Sequence, residues 1–370
     1  MVEVAGFLQK VFYPDTPNKE PAMSIVVLKL PNVKSKTDSR PRQCPACKGE
    51  IMQRWGGAKR QIRDPHVHCV RVHRYRCCHC RHTFRDYPEG VDQAQQSQRL
   101  KKLAALCWTL GLSYRGIAGV LAVFRVGISR MSAWRDAQEQ AGELKRSRMG
   151  KPVRVLGLDG AYVRAWGKVR PVLVAVDLGE GKPVSIGYVD EYNPQAVRRW
   201  LEPLVKQLGV SVVVTDDLIH YKTVAEKLGL EHQICQFHVR RWVGRSLYQL
   251  CKTVPEEWQW VVEETKQLVA ELPVEGSKRL YELWKQLPHS RSGRMEQPLS
   301  SLDQLCQLLL RLNEYWHNYR VFDWQTDVPW TNNVTEQVIG RMKIRSRTVR
   351  GYKTENGMLA GLMLAGSGVS

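Results

Sequence analysis

The chain has 370 residues, 43% hydrophobic and 25% charged, a composition typical of globular proteins with room for two or three domains. Its formal net charge of +20 favours a polyanionic partner. No apolar run is long enough to cross a membrane, and the N-terminus lacks the pattern of a secretory signal. We therefore expect a cytoplasmic protein without membrane contact, whose ten cysteines are reduced or bind metal rather than forming disulfides.

The first 40 residues have no clear role, although SIVVLKL at 24–30 predicts one short strand. The positive charge is concentrated in the next segment. Between Arg40 and Gly150 there are 22 Lys/Arg and 8 Asp/Glu, a net charge of +14. A solubility surface would usually mix both signs, so this segment is the first candidate for contact with a polyanion.

Residues 41–90 contain two Cys-x-x-Cys pairs, and their spacing predicts a zinc ribbon. The four cysteines are Cys44, Cys47, Cys77 and Cys80. Two such turns can grip opposite faces of one tetrahedral Zn²⁺, which leaves no open position and makes the ion structural. Two redox thiol pairs are the alternative, and the basic flanks disfavour it. Cys69 and Cys78 are nearby thiols outside the matched spacing.

Residues 91–150 predict a helix-turn-helix domain. Ser129 can cap its second helix, which presents Arg130 and Arg135 as candidates for contact with base edges or phosphates. Met131 is expected to face inward. An ordinary helical hairpin with a solvated basic face is the alternative, and the neighbouring ribbon and positive charge favour DNA binding.

From residue 151 strands alternate with helices in the order β-β-β-α-β-α-β, which predicts a mixed α/β, ribonuclease-H-like catalytic core. Its first part spans 151–239, a helical insertion spans 240–328, and the core ends with a helix within 329–370. Pro203 is expected to kink or shorten the helix that Asn193 caps. The last strand is expected within EHQICQFH.

Acidic residues follow two of the apolar strands. Asp159 ends VLGLD and Asp216 ends VVVTD, and a carboxylate there is costly unless it caps, pairs or binds metal. A third acid, Glu336, lies in the first turn of a helix that begins within TNNVTE with an Asn cap. A helix-dipole partner is the alternative for Glu336. Downstream runs a basic stripe suited to phosphates, formed by Arg341, Lys343, Arg345, Arg347 and Arg350.

These blocks resemble those of bacterial insertion-sequence transposases with an Asp-Asp-Glu triad. The resemblance rests on LGLDGAYV, VVVTDD, QICQFH and TNNVTEQVIGRMKIRSRTVRGY, and covers residues 151–239 and 329–353. The nearest group is the Mutator-like one, in which a Cys-x-x-His pair follows the second Asp; here the pair is Cys235 and His238. That pair could be half a metal site, a structural or DNA-contacting motif, or simply a packed thiol and a hydrogen-bonded imidazole.

The resemblance implies that Asp159, Asp216 and Glu336 are the catalytic acids and hold two Mg²⁺ ions for DNA end cleavage and strand transfer. It also implies that the protein binds terminal inverted repeats and target DNA, as a homodimer or larger assembly near the nucleoid of a bacterium or archaeon. Asp217 adjoins Asp216, and Asp216 is preferred because it directly follows the strand. Asp177 and Asp190 also end strands but match no block.

Two other functions are compatible with part of this pattern. A non-catalytic DNA-binding regulator derived from a transposase would share the ribbon and helix-turn-helix but need no acids. A ribonuclease-H-like nuclease would cut DNA without strand transfer, and the helical insertion and the TNN-x-x-E block disfavour it.

Overall fold

A computed structural model describes residues 30–289 and 299–368. The fold is mixed α/β and divides into two compact units. In the described residues, the sheet unit comprises 149–162, 171–289 and 299–339, and the ribbon unit comprises 30–148, 163–170 and 340–368. Over the same residues, no helix combines the length and apolar character of a bilayer span. The strand predicted at 24–30 lies outside the described residues except for Leu30.

The described strands and helices are numbered in chain order. The strands are β1 (Met52–Gln61), β2 (Cys69–Cys77), β3 (Thr83–Asp86), β4 (Val155–Ala165), β5 (Lys168–Asp177), β6 (Lys182–Gly187), β7 (Val212–Thr215) and β8 (Glu231–Ile234). The helices are α1 (Gln98–Thr109), α2 (Tyr114–Val123), α3 (Arg130–Met149), α4 (Pro194–Leu208), α5 (Ile219–Leu228), α6 (Gln236–Thr253), α7 (Gln259–Glu271), α8 (Gly276–Gln286), α9 (Ser301–Tyr315), α10 (Asn333–Thr348) and α11 (Glu355–Ser367).

The ribbon unit begins with an antiparallel sheet in the order β1-β2-β3. Val70 and Val72 alternate inward on β2 and form a small core with Ile62. The buried carboxylate of Asp64 accepts hydrogen bonds from Arg99 and from two backbone N–H groups, and its pKa is lowered to about 2 because these bonds outweigh burial. This ion pair joins the loop between β1 and β2 to α1.

Helix α3 begins as its sequence predicts. The Ser129 hydroxyl accepts the N–H of Ser132, so it caps α3 as predicted. The expectation that Met131 faces inward is wrong, because its side chain is 49% exposed. Ala133 and Ala137 form the buried face of α3 instead, since their small side chains allow close helix packing.

The sheet unit is built on five strands in the order β6-β5-β4-β7-β8. β7 is parallel to both β4 and β8, whereas β5 and β6 are antiparallel. One face packs on α4 and α5 through residues such as Leu156 and Leu201. The other face carries Val155 and Val214, which pack against Val321. The central strands are therefore buried on both faces, as their unbroken apolar sequences predict.

Helix α4 runs through Pro203 to Leu208, so the proline does not shorten the helix, which was one of its two expected effects. Asn193 caps its start as predicted, and Gly209 ends it with a φ of 71°. Pro203 lies on the exposed face, where water can bind the carbonyl that loses its helical partner.

The predicted strand EHQICQFH is only half strand. β8 ends at Ile234, and Gln236 already begins α6, so His238 lies in the first turn of a helix. The following helices α6–α9 form a separate apolar core around residues such as Leu247, Leu280 and Leu309. The described part of 240–328 is thus helical with short connections, as predicted.

The start of α10 lies directly against β4. Asn332 and Thr335 are buried there, and a Cβ on Gly157 would lie 2.1 Å from Thr335 Oγ1 and 2.8 Å from Asn332 Oδ1. Glycine at 157 is therefore what lets the helix start approach the strand.

We expect Gly157→Ala to lower the free energy of unfolding by about 1–3 kcal/mol, because neither the strand nor the buried helix start can move aside freely. Urea denaturation would measure this. Gly340→Ala, within α10, is the matched control: apart from its chain neighbours and the adjacent backbone of its own helix, no heavy atom of the described residues lies within 4 Å of its added Cβ. It should be neutral or stabilising by up to about 1 kcal/mol. Equal stability of Gly157→Ala and the wild type would contradict this packing.

Candidate functional site

Asp159 lies on β4, and Asp216 directly follows β7, the parallel neighbour of β4. In the parallel β4–β7 pair, Val155 lies opposite Val212 and Gly157 opposite Val214. Continuing this register by two residues places Asp159 opposite Asp216. Because neighbouring strands are about 4.8 Å apart and side chains alternate between faces, both carboxylates lie on the face that also carries Gly157. The two predicted acids are brought together at one edge of the sheet.

Glu336 reaches this place because the start of α10 is fixed to β4. The Asn332 amide donates to the Leu158 carbonyl at 2.9 Å, one residue before Asp159. The Asn332 side chain therefore binds the strand rather than capping the helix. The backbone carbonyl of Asn332 accepts a hydrogen bond from the N–H of Glu336 at 3.1 Å, so Glu336 lies in the first helical turn as predicted.

The carboxylates repel one another in a poorly solvated site. Burial, followed by the charges of Asp216, Glu191 and Glu336, raises the pKa of Asp159 to about 7. Burial, followed by the charges of Glu191 and Asp217, raises the pKa of Asp216 to about 7. Without a cation, the cluster is therefore partly protonated near neutral pH.

Glu191 is a member of this cluster that the sequence analysis missed. It lies in the loop between β6 and α4, and its carboxylate occupies the space beside Gly160, where a Cβ would be 2.1 Å from Glu191 Oε2. The buried Tyr221 hydroxyl donates to the same oxygen at 3.4 Å. The only sequence signal was its position after a strand, which it shares with its neighbour Asp190.

Asp217 has a different partner from Asp216. Arg311 of α9 donates to Asp217 Oδ2 at 2.6 Å, and its guanidinium lies 4.4 Å from the centre of the Trp242 ring. Burial still raises the pKa of Asp217 to about 6, because it outweighs the neighbouring Arg311 charge. This ion pair anchors the helical insertion to the end of β7 and leaves Asp216 as the acid that joins Asp159.

The acid cluster has the donor set of a hard cation. Among the described residues, Asp216 Oδ1 and Glu336 Oε1 are buried oxygens without a hydrogen-bond partner. Buried charges of this kind are normally paired or bound to metal. Carboxylate oxygens that repel one another fit Mg²⁺, which prefers oxygen ligands and lowers that repulsion.

Cys235 and His238 form a second group together with Glu336. The ligand atoms of these three side chains all lie within 4.8 Å of one another. His238 Nε2 is 3.7 Å from Glu336 Oε1, and the backbone N–H of Asn332 donates to Cys235 Sγ at 3.2 Å. The Cys-x-x-His spacing does not predict this third member, because Glu336 is distant along the chain.

The four ribbon cysteines converge as their spacing predicts. All four Sγ atoms lie within 4.8 Å of one another; Cys44 and Cys80 are 3.7 Å apart, and Cys47 and Cys77 are 3.6 Å apart. A tetrahedral zinc with Zn–S bonds of about 2.3 Å requires sulfur separations of about 3.8 Å. This cluster could therefore hold one zinc ion.

The predicted basic residues are not all available to a ligand. Arg130 and Arg135 on α3 are exposed, as are Lys343, Arg347 and Arg350. Arg345 is buried: it donates to the Leu112 carbonyl at 3.0 Å and stacks on Trp108. Arg341 donates to the Gly366 carbonyl at 2.8 Å. The predicted basic stripe therefore offers fewer side chains to a ligand, because the guanidiniums of Arg341 and Arg345 bind backbone carbonyls of the protein itself.

We expect Cys44→Ser to lower the zinc content of the protein by about one ion per chain, because the buried Cys44 thiolate closes the four-sulfur set. Atomic emission on the purified protein would measure this. Cys78→Ser is the matched control, since Cys78 adjoins a ligand but is outside the cluster. Loss of zinc in the control, or full zinc in Cys44→Ser, would refute the ligand assignment.

The acid cluster also predicts a pH dependence of stability. In the folded protein the raised pKa values of Asp159 and Asp216 favour protonation, so without Mg²⁺ stability falls as pH rises from about 4 to about 7. The double variant Asp159→Asn and Asp216→Asn should be more stable than the wild type at about pH 8, by up to about 4 kcal/mol per carboxyl. The difference should vanish near pH 4 and shrink when Mg²⁺ is added at pH 8. Denaturation curves in Mg²⁺-free buffer test this, and a pH-independent difference would contradict it.

Comparisons with known proteins were made for the whole chain. The strand transfer complex of the Drosophila P element transposase aligns with 72% of this chain and 78% of its own, at 11% identity and a TM-score of 0.26. A TM-score this low does not establish a shared fold. No curated protein sequence matches significantly. Residues 188–360, which include Asp216, Cys235, His238 and Glu336, match the sequence model of the transposase IS66 family.

Proposed function

We propose that this protein is a DNA transposase of the Asp-Asp-Glu kind, which cleaves the ends of an insertion sequence and joins them to target DNA. The match of residues 188–360 to a transposase family supports the class of protein. The proposed core is ribonuclease-H-like; the strand order β6-β5-β4-β7-β8, with parallel β4, β7 and β8, supports this assignment. The Mutator-like grouping, suggested by the Cys-x-x-His pair, stays a prediction.

One observation carries the proposed chemistry. Asp159 lies on β4 and Asp216 directly follows β7, the parallel neighbour of β4, and the charges of Asp216 and Glu336 both act on Asp159. Three acids from distant parts of the chain would not converge in a half-buried place without a cation to offset their repulsion. A non-catalytic regulator has no need of this arrangement.

Two Mg²⁺ ions, when bound, would activate the attacking oxygen and stabilise the leaving oxygen of a phosphodiester. The chain's own contribution is to fix the three carboxylates before DNA arrives. Asp159 and Asp216 are held by the sheet, and Glu336 is held because Asn332 binds the Leu158 carbonyl. Water would first release a 3′-hydroxyl at the element's end, and that hydroxyl would then attack target DNA in the same set of acids.

Recognition of DNA is assigned to the ribbon unit. The proposed helix-turn-helix comprises α2 and α3, and the exposed Arg130 and Arg135 lie in the first turns of α3. The exposed Lys343, Arg347 and Arg350 are candidates for phosphate contact. Arg341 and Arg345 are left out of this set because both bind backbone carbonyls. Terminal repeats and target DNA are the proposed partners, bound by a dimer or larger assembly.

We expect Asp159→Asn, Asp216→Asn and Glu336→Gln each to reduce cleavage and strand transfer together, by on the order of a thousandfold or more, because each removes a charge needed to hold the cations. Binding to terminal DNA should survive or tighten, since a like charge near phosphate is lost. The assay uses purified protein, DNA carrying the inverted repeats that flank the coding sequence, a target plasmid and Mg²⁺. Gel analysis separates cut from joined products.

Asp217→Asn is the matched control for the second acid and should retain substantial activity, because Asp217 pairs with Arg311. An inactive Asp217→Asn protein beside an active Asp216→Asn protein would move the second acid by one position. Normal strand transfer by Glu336→Gln would refute the triad. Binding without cutting would indicate a regulator, and cutting without joining would indicate a nuclease.

A further inference from the structure

We propose that Cys235, His238 and Glu336 form a second transition-metal site, selective for zinc and separate from the four-cysteine ribbon. Their ligand atoms lie within 4.8 Å of one another, so small side-chain movements would bring all three around a single ion. Cys235 directly follows β8, His238 lies in the first turn of α6, and Glu336 lies in the first turn of α10. Zinc would join these three segments.

The ligand types decide which metal the site would take. A thiolate and an imidazole are soft and borderline donors that suit Zn²⁺ and disfavour Mg²⁺. One sulfur, one nitrogen and one carboxylate oxygen make three protein ligands and leave a fourth tetrahedral position open. The ribbon, by contrast, supplies four thiolates and is closed. The second site should therefore exchange its ion more readily.

The three ligand side chains are already close together. Within the described residues, Glu336 Oε1 and His238 Nδ1 are buried atoms without a hydrogen-bond partner. Cys235 is fully buried at the N-terminus of α6, and the Asn332 N–H donates to its sulfur. Burial raises the pKa of the Cys235 thiol, and the Asn332 N–H acts against this rise, so a bound metal would have to displace the thiol proton. Little rearrangement is needed for an ion to bind.

The site shares one carboxylate with the acid cluster. Zinc bound between Cys235 and His238 would take up Glu336 Oε1, the oxygen that faces His238. This consequence rests on the proposed function: zinc would then compete with Mg²⁺ for the charge of Glu336. The zinc site itself does not depend on that function, because it is defined by its three ligands.

The test is the zinc content of the full chain after dialysis against a zinc-buffered solution, measured by atomic emission. The wild type should hold about two zinc ions per chain, and Cys235→Ser and His238→Gln should each hold about one. Cys251→Ser, an exposed thiol on the same helix α6, is the matched control and should hold about two. Cys44→Ser should lose the ribbon ion and keep the second.

About one zinc in the wild type and almost none in Cys44→Ser would overturn the second site, as would about two in Cys235→Ser. If the buried Cys235→Ser protein fails to fold by circular dichroism, the partly exposed His238→Gln protein gives the answer. Zinc content is read without DNA, so an inactive protein that binds two zinc ions would refute the proposed function and leave this site standing.

Discussion

The repulsion between two carboxylates at one edge of a sheet is the constraint on which the proposed site depends. Asp159 lies on β4 and Asp216 directly follows β7, so the pairing of these two buried strands restricts the movement of both acids. In water such a pair would cost little, but here burial raises the pKa of both acids to about 7. A cation bound between these two carboxylates would therefore stabilise the folded protein.

The third acid depends on packing rather than on strand pairing. A glycine at 157 leaves the space in which Thr335 and Asn332 lie, and the Asn332 amide closes the contact on the Leu158 carbonyl. Glu336 follows at a fixed helical position. The TNN-x-x-E pattern thus has a physical meaning. Its polar residues bind the start of α10 to β4, and this contact positions Glu336 in the first turn of the helix. A helix-dipole role alone would not require these buried contacts.

The part of the site that could be predicted from sequence is the part that local pattern determines. An apolar run followed by an acid points to Asp159 and Asp216, because a buried carboxylate is costly unless it is paired or bound to metal. Asp159 does not end its strand as expected, since β4 continues to Ala165. Glu191 could not be predicted in the same way. It lies in a loop whose conformation places its carboxylate beside Gly160, and loop conformation produces no periodic pattern in the sequence. Arg345 is the opposite case: the sequence pattern predicts a phosphate-binding residue, but the side chain packs on Trp108.

Element ends were predicted less well than element types. The segment EHQICQFH is apolar enough for one strand, but the chain turns into α6 after Cys235, and this places His238 on a helix. Pro203 was expected to kink or shorten α4, but the helix is not shortened. Pro203 lies on the exposed face, where water can bind the carbonyl that loses its helical hydrogen bond. Both outcomes depend on the surroundings of the residue, which the sequence pattern does not specify.

Glu336 connects the two metal chemistries that this region can support. Its charge raises the pKa of Asp159, and its Oε1 lies 3.7 Å from His238 Nε2. A hard ion beside the aspartates and a softer ion beside Cys235 would both draw on this one carboxylate. Because a carboxylate has a single negative charge to share, stronger binding on one side weakens the electrostatic gain on the other. The position of α10, fixed by Asn332, thus determines both sites at once.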